Sequence, residues 1–251
     1  MTKTVLITGA TSGFGSACAK IFSRNKWNVV LTGRRKERLY SLEKELGEIT
    51  DIYTAKLDVR NKEDVENLIK NLPETFGNID VLVNNAGLAL GLESADEANL
   101  DDWDVMVDTN IKGLLYCTKS VLDTMVKKNR GHIVNVGSTA GNWPYPGGNV
   151  YGATKSFVQQ FSRNLRADLL GTNIKVTNIE PGMAETEFSL VRFKGDSKKA
   201  EKVYENADLL QPEDVAEIIY WVINTPDRVN INTLEVMATC QAWGPLQLHR
   251  N

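Results

Sequence analysis

The chain has 251 residues, 42% of them hydrophobic and 24% charged, with a formal net charge of -3. That length fits one large α/β domain with a substantial core, and the near-neutral balance without a long basic run argues against a nucleic-acid partner. No apolar stretch approaches the roughly 18 to 20 residues of a membrane span, and the N-terminus lacks signal-peptide organisation, so a cytoplasmic location away from membranes is expected.

Alternation of short β-branched runs with amphipathic stretches predicts parallel βαβ units with helices on both faces of a sheet of about seven strands. The first strand, Thr4–Thr8, leads into Gly9-Ala10-Thr11-Ser12-Gly13-Phe14-Gly15 and a helix starting near Gly13. Glycines there allow a tight turn and a close backbone approach to pyrophosphate, whose charge the helix N-terminus favours. The second strand, Asn28–Thr32, is followed by Arg34 and Arg35, with no acidic residue. An acid at that position holds a ribose 2′-hydroxyl, whereas arginine accommodates a 2′-phosphate, so the pair predicts NADP rather than NAD.

A helix over Lys36–Leu46 carries Tyr40 and Lys44, four residues apart on one face. Strands follow at Ile52–Leu57, Val81–Val83, His132–Val136, Lys175–Ile179 and Thr233–Val236, with helices at Glu63–Leu72, Trp103–Lys127, Val150–Leu169 and Pro212–Ile223. The Val150–Leu169 helix opens on a second pair with the same spacing, Tyr151 and Lys155. Spacing alone does not separate the two pairs. No linker or repeat divides the chain, so residues 1–251 are expected to form a single domain.

Cys18, Cys117 and Cys240 are odd in number and lack Cys-x-x-Cys spacing, which predicts reduced thiols rather than disulfides or zinc. His132 and His249 are the only histidines and lie far apart, so neither a metal centre nor a histidine base is expected.

Taken in this order, the motifs resemble the short-chain dehydrogenase/reductase family over nearly the whole chain. They are Thr8-Gly9-x-x-x-Gly13-x-Gly15, Asp58 and Val59, Asn84-Asn85-Ala86-Gly87, Thr109-Asn110, Ser138, Tyr151-x-x-x-Lys155 and Pro181-Gly182. The resemblance implies a single-domain Rossmann fold and places Asp58 and Val59 beside the adenine. It counts Asn85, Pro181 and Gly182 among the cofactor contacts and sets Thr186 at the nicotinamide carboxamide. It gives Asn110 a proton-relay water and Lys155 the nicotinamide ribose, and it implies a homotetramer built through the Trp103–Lys127 and Val150–Leu169 helices. Ser138 precedes Tyr151 by thirteen residues, as in the family, whereas Trp27 occupies that position before Tyr40. Tyr151 and Lys155 are therefore the catalytic candidates, and Tyr40 with Lys44 a surface pair.

The chemistry of those residues is consistent. Carbonyl reduction needs a hydride on carbon and a proton on oxygen, and the nicotinamide supplies the hydride. A free tyrosine has a pKa of about 10, and the Lys155 ammonium is expected to lower that of Tyr151 toward neutrality. Ser138 is expected to hydrogen-bond the substrate oxygen.

The polar segment 185–210 is expected to be a loop closing over substrate, with Arg192 presented to a small carboxylate. Residues 137–145 and 191–196 resemble the subgroup of NADP-dependent 3-hydroxy acid dehydrogenases, which implies serine, allo-threonine or malonic semialdehyde type substrates. One rival is a broad reductase of neutral ketones or acyl thioesters. Another is a non-catalytic NADP sensor, which the presence of Ser138, Tyr151, Lys155 and Asn110 disfavours. The apolar tail, residues 240–246, is expected to dock either on a neighbouring subunit or on its own.

Overall fold

The computed structural model of the chain describes residues 2–244 and 247–250. Strands and helices follow one another as β1 (Thr4–Ile7), α1 (Gly13–Arg24), β2 (Asn28–Gly33), α2 (Lys36–Leu46), β3 (Ile52–Lys56), α3 (Lys62–Lys70), β4 (Ile79–Asn84), α4 (Leu100–Val107), α5 (Leu114–Lys128), β5 (Gly131–Val136), α6 (Asn149–Asp168), β6 (Ile174–Pro181), α7 (Phe188–Arg192), α8 (Ser197–Tyr204), α9 (Pro212–Ile223) and β7 (Thr233–Val236). The strands pair in parallel as one sheet in the order β3-β2-β1-β4-β5-β6-β7. This is the expected doubly wound Rossmann arrangement.

Both faces of the sheet are covered, which is why its strands read as near-continuous apolar runs. Val5, Ile7, Val29 and Leu31 pack with Cys18, Phe22 and Ile219 on one face. Leu6, Val30, Leu82 and Ile133 point the other way, onto Cys117, Val121, Met125 and Leu165. Phe22 anchors the first layer, with the rings of Trp27 and Tyr220 edge-on at 5.1 and 5.5 Å. Truncating such a buried ring costs about 3 to 5 kcal/mol.

The chain order reverses between β1 and β4, so a crevice opens at the carboxyl ends of these two strands. Among the described residues, no helix is long and apolar enough to cross a membrane. Cys18 and Cys117 are buried free thiols, pushed by burial up to about 12. His132 is buried in β5 and is pushed down to about 3, chiefly by desolvation.

Two sequence expectations change. The helix expected over Trp103–Lys127 is divided into α4 and α5 by a π-helical turn, Asp108–Gly113. A π-turn admits one extra residue, and here it carries Asn110 inward to bond Leu88 and Thr154. The segment expected to be a loop contains α7 and α8. Asp196 starts α8 by accepting from the Lys199 amide at 3.1 Å. Further anchors are the Lys194–Asp102 ion pair at 2.7 Å and the Tyr204 hydroxyl, which donates to the Thr186 carbonyl at 2.9 Å.

The tail packs on its own chain as far as it is described. Gln241 Oε1 accepts from the Met183 amide at 2.9 Å, and Trp243 lies edge-on to Trp143 at 6.3 Å. Pro245 and Leu246 lie outside the described residues.

Candidate active site

The glycine-rich turn after β1 is close-packed because its glycines leave no room for side chains. Gly9 has φ +67, and a Cβ there would come within 2.9 Å of Ala86 Cα. A Cβ at Gly15 would lie 2.4 Å from the Gly9 carbonyl oxygen and 2.6 Å from Asn85 Nδ2. Asn85 braces the turn by donating its side-chain amide to the Thr8 and Gly9 carbonyls at 2.8 and 3.1 Å. The first turn of α1 carries no acidic residue, and its N-cap Ser12 makes no side-chain cap. Its amide dipoles are therefore available to an anion.

A cavity of about 570 Å³ runs from this turn to β6 and α7. At its first end, Arg35 Nη2 donates to Thr11 Oγ1 at 2.9 Å and to Ser12 Oγ at 2.7 Å, while Nη1 donates to Glu187 at 2.8 Å. Arg38 also grips Glu187, with one nitrogen 2.7 Å from each carboxylate oxygen. Arg34 is exposed at the rim. Next along the wall, Arg60 holds Asp58 through a 2.6 Å ion pair, and that hydrogen bond keeps the Asp58 carboxyl below its ordinary range.

At the other end, α6 presents Tyr151 and Lys155 beside the turn carrying Ser138. The approach is close because glycine lies on each side of it. A Cβ at Gly141 would come within 2.9 Å of the Lys155 carbonyl carbon, and one at Gly152 within 2.9 Å of the Ala140 carbonyl oxygen. Ser138 Oγ accepts from the Ala140 amide at 3.1 Å, starting a 3-10 turn over Thr139–Gly141. The ring of Phe188 lies 5.5 Å from that of Tyr151. Arg192, at the last position of α7, sets its guanidinium 5.2 Å from the Tyr151 ring centre and donates to the Tyr145 hydroxyl at 2.7 Å. Its Nε is buried without a partner among the described residues.

Burial rather than Lys155 governs the titration of Tyr151, which is a correction to the sequence expectation. Desolvation pushes the phenol up to about 12, opposed by a hydrogen bond from Ser138 and by the charge of Arg192. Lys155 donates to the Val136 carbonyl at 2.8 Å, and its Nζ stands 5.8 Å from the Tyr151 ring centre. Desolvation lowers Lys155 itself to about 8.

Gly9, Thr11, Ser12, Gly13, Phe14, Arg34, Arg35, Asp58, Val59, Asn85, Ser138, Tyr151, Lys155, Pro181, Gly182, Thr186 and Arg192 all line this cavity. Ala10, Gly15 and Asn110 do not. Ala10 is fully buried, and its amide donates to the Thr32 carbonyl. Gly15 sits beneath the turn. The Asn110 amide nitrogen is spent on the Leu88 carbonyl and Thr154, so Asn110 braces the floor under Gly87.

This geometry has known counterparts. The sequence pattern of the family described as short chain dehydrogenase matches residues 3–196. The chain is a short-chain dehydrogenase. This dehydrogenase is 58% identical over 248 residues to the NADP-dependent 3-hydroxy acid dehydrogenase of Salmonella typhi, spanning 98% of this chain and 99% of that one. It is 52% identical over 252 residues to sulfoacetaldehyde reductase 2 of Chromohalobacter salexigens, spanning the whole of both chains. Among solved structures, the closed form of a serine dehydrogenase complexed with NADP+ superposes with a TM-score of 0.94 at 56% identity, over 99% of this chain and 100% of that one.

Tyr145, Phe188, Glu187 and Arg38 also border the short-chain dehydrogenase site, and sequence reasoning did not single them out. Tyr145 and Phe188 read as ordinary apolar residues until α7 folds over Tyr151. Glu187 and Arg38 lie 149 positions apart, and no local signal joins them.

Proposed function

We propose that the chain is an NADP-dependent dehydrogenase of small 3-hydroxy acids, interconverting a 3-hydroxyl and a 3-oxo group. The observation that carries this reading is the Arg192 guanidinium, fixed 5.2 Å from the Tyr151 ring inside the cavity. A cation held there suits a substrate whose anion lies a short distance from its reacting carbon. The names of the relatives agree: a 3-hydroxy acid, serine and sulfoacetaldehyde each set an acidic group close to the hydroxyl or carbonyl carbon.

The chain's own residues fit the dinucleotide. Gly9, Gly13 and the open start of α1, with Ala10, Phe14 and Gly15 shaping the turn, suit a pyrophosphate. Thr11, Ser12, Arg34 and Arg35 supply donors for a 2′-phosphate. Asp58 and Val59 would border the adenine, Asn85 braces the turn, and Pro181, Gly182 and Thr186 would border the nicotinamide. When bound, NADP supplies the hydride acceptor or donor.

In oxidation Tyr151 takes the hydroxyl proton, and in reduction it returns it. Ser138 orients the substrate oxygen and steadies its developing charge. Lys155, with Asn110 behind it, holds the ribose and the proton path. Arg192 holds the carboxylate and keeps bulky neutral substrates at a disadvantage. The working unit is a homotetramer assembled through α4–α5 and α6, as the family resemblance implies. Light scattering at the mass of one subunit would refute the tetramer. The reduced thiols favour a cytoplasmic location.

The test is the change in nicotinamide absorbance with L-serine, L-allo-threonine or 3-hydroxypropionate and either NADP or NAD. Reduction of NADP far faster than NAD with these acids is expected. Silence with every acid, alongside NADPH oxidation by neutral ketones, would overturn the 3-hydroxy acid reading and establish the broad reductase. NADP binding without turnover of any substrate would establish a sensor instead.

A further inference from the structure

Helix α7 joins two sites. Its C-terminal residue, Arg192, lies over Tyr151, while Glu187, immediately before its first turn, reaches across the crevice to Arg35 and Arg38. The arginines belong to the chain after β2, and the glutamate belongs to the segment covering the substrate end.

Resting on the NADP reading above, we propose that Glu187 is an internal competitor for the 2′-phosphate subsite. Its carboxylate engages the same guanidinium that a 2′-phosphate would use, which couples the phosphate of the cofactor to the position of α7.

Three observations converge on this. First, Glu187 is the anion that the arginine cluster holds: Arg35 Nη1 at 2.8 Å and Arg38 Nη1 at 2.7 Å from both oxygens. Second, Arg35 does not need Glu187 to be oriented. Its Nε and Nη2 are already fixed by Thr11 Oγ1 and Ser12 Oγ, at 2.7 to 3.1 Å. Third, the three side chains are 37 to 46% exposed, so the contact is solvated and replaceable. A half-exposed ion pair of this kind is worth about 1.5- to 5-fold in an equilibrium. A phosphate monoester carries up to about two charges and three acceptor oxygens, and it pairs with guanidinium more strongly than one carboxylate does.

Other anchors of the covering segment include Lys194–Asp102 and Tyr204–Thr186. The first turn of α7 is also held by the Ser189 amide, which donates to the Tyr204 hydroxyl at 3.3 Å, so displacing Glu187 removes one of the contacts that fix Glu187–Val191, the turn carrying Phe188. Coupling of this kind is reciprocal, so whatever fixes α7 at its Arg192 end alters phosphate affinity at the other.

The experiment uses 2′,5′-ADP and 5′-AMP, which differ at the 2′-phosphate and lack the nicotinamide half. Calorimetry on the full chain should show Glu187→Gln binding 2′,5′-ADP about 1.5- to 5-fold more tightly than wild type, with 5′-AMP unchanged. Glu187→Ala should behave alike, with unaltered circular dichroism for both. Amide exchange across Glu187–Val191 should rise in wild type on adding 2′,5′-ADP and should already be high in Glu187→Gln. Unchanged or weakened 2′,5′-ADP binding in both variants would overturn the inference, since Glu187 would then be neutral or a support for Arg35. If wild type and variants all bind 2′,5′-ADP no better than 5′-AMP, the NADP reading itself falls.

Discussion

Two tyrosine–lysine pairs with the same spacing stand on two helices of this protein, and only one lines the cavity. Tyr40 and Lys44 lie on α2, with Tyr40 67% exposed and Lys44 also exposed. Tyr151 and Lys155 lie on α6 at 8% and 7% exposure, pressed against the turn that carries Ser138. A four-residue spacing puts two side chains on one face of a helix, and it does nothing more. The α6 pair is set apart by glycines on both contacting surfaces, by desolvation that separates the two titrations, and by Arg192 arriving on a distant helix.

Removing the phenol from the buried pair should cost the most activity. Tyr151→Phe keeps the ring against Phe188 but deletes the proposed proton carrier, and turnover should fall by about 10³-fold or more. NADP affinity, measured by fluorescence titration, should stay within about twofold of wild type, because the phosphate subsites lie at the other end of the cavity. Substantial residual turnover would show that another group moves the proton.

Arg192→Ala tests the contribution from outside α6. Loss of a charge-assisted contact should reduce kcat/KM for 3-hydroxypropionate by about 10- to 100-fold. Turnover of a neutral alcohol should change much less. An equal loss for both substrates would mean that Arg192 only supports Tyr145 and Tyr151.

The titrations set a direction for pH. A phenol raised to about 12 is protonated at neutrality, so it is ready to donate in reduction but must first ionise for oxidation. Oxidation should therefore rise between about pH 7 and pH 9, approaching tenfold per unit at first. Reduction should be flat up to about 8 and then decline, as Lys155 loses its proton. Oxidation flat from pH 7 upward, with reduction already falling about tenfold per unit, would show that the phenol is ionised at neutrality.

Much of this was legible in the sequence because short-range physics carried it. Burial on both faces turned each strand into an apolar run, and the glycine turn, the arginines after β2 and the Ser138–Tyr151 interval are local patterns. Long-range features left no such trace. The π-turn at Asn110 exists because Leu88 and Thr154 offer it partners from elsewhere in the chain. The covering segment looked unstructured because α7 has only five residues and gains its order from Tyr204, Asp102 and Arg35. The Tyr151 titration was misjudged for the same reason: a charge four residues away is visible in sequence, whereas desolvation by Phe188, Tyr145 and the cavity wall is not.

Changes to the exposed pair should matter least. Tyr40→Phe and Lys44→Ala remove the functional groups of the exposed pair while leaving helix propensity nearly unchanged. Neither residue lines the cavity, and solvent already screens both. Turnover should stay within about twofold, and stability should move by no more than about 0.5 kcal/mol in a denaturant titration. A large loss of activity in either variant would mean that spacing itself carries function, and the distinction between the pairs would fail. Unchanged activity would place the difference where the structure places it, in the surroundings of α6 rather than in the motif.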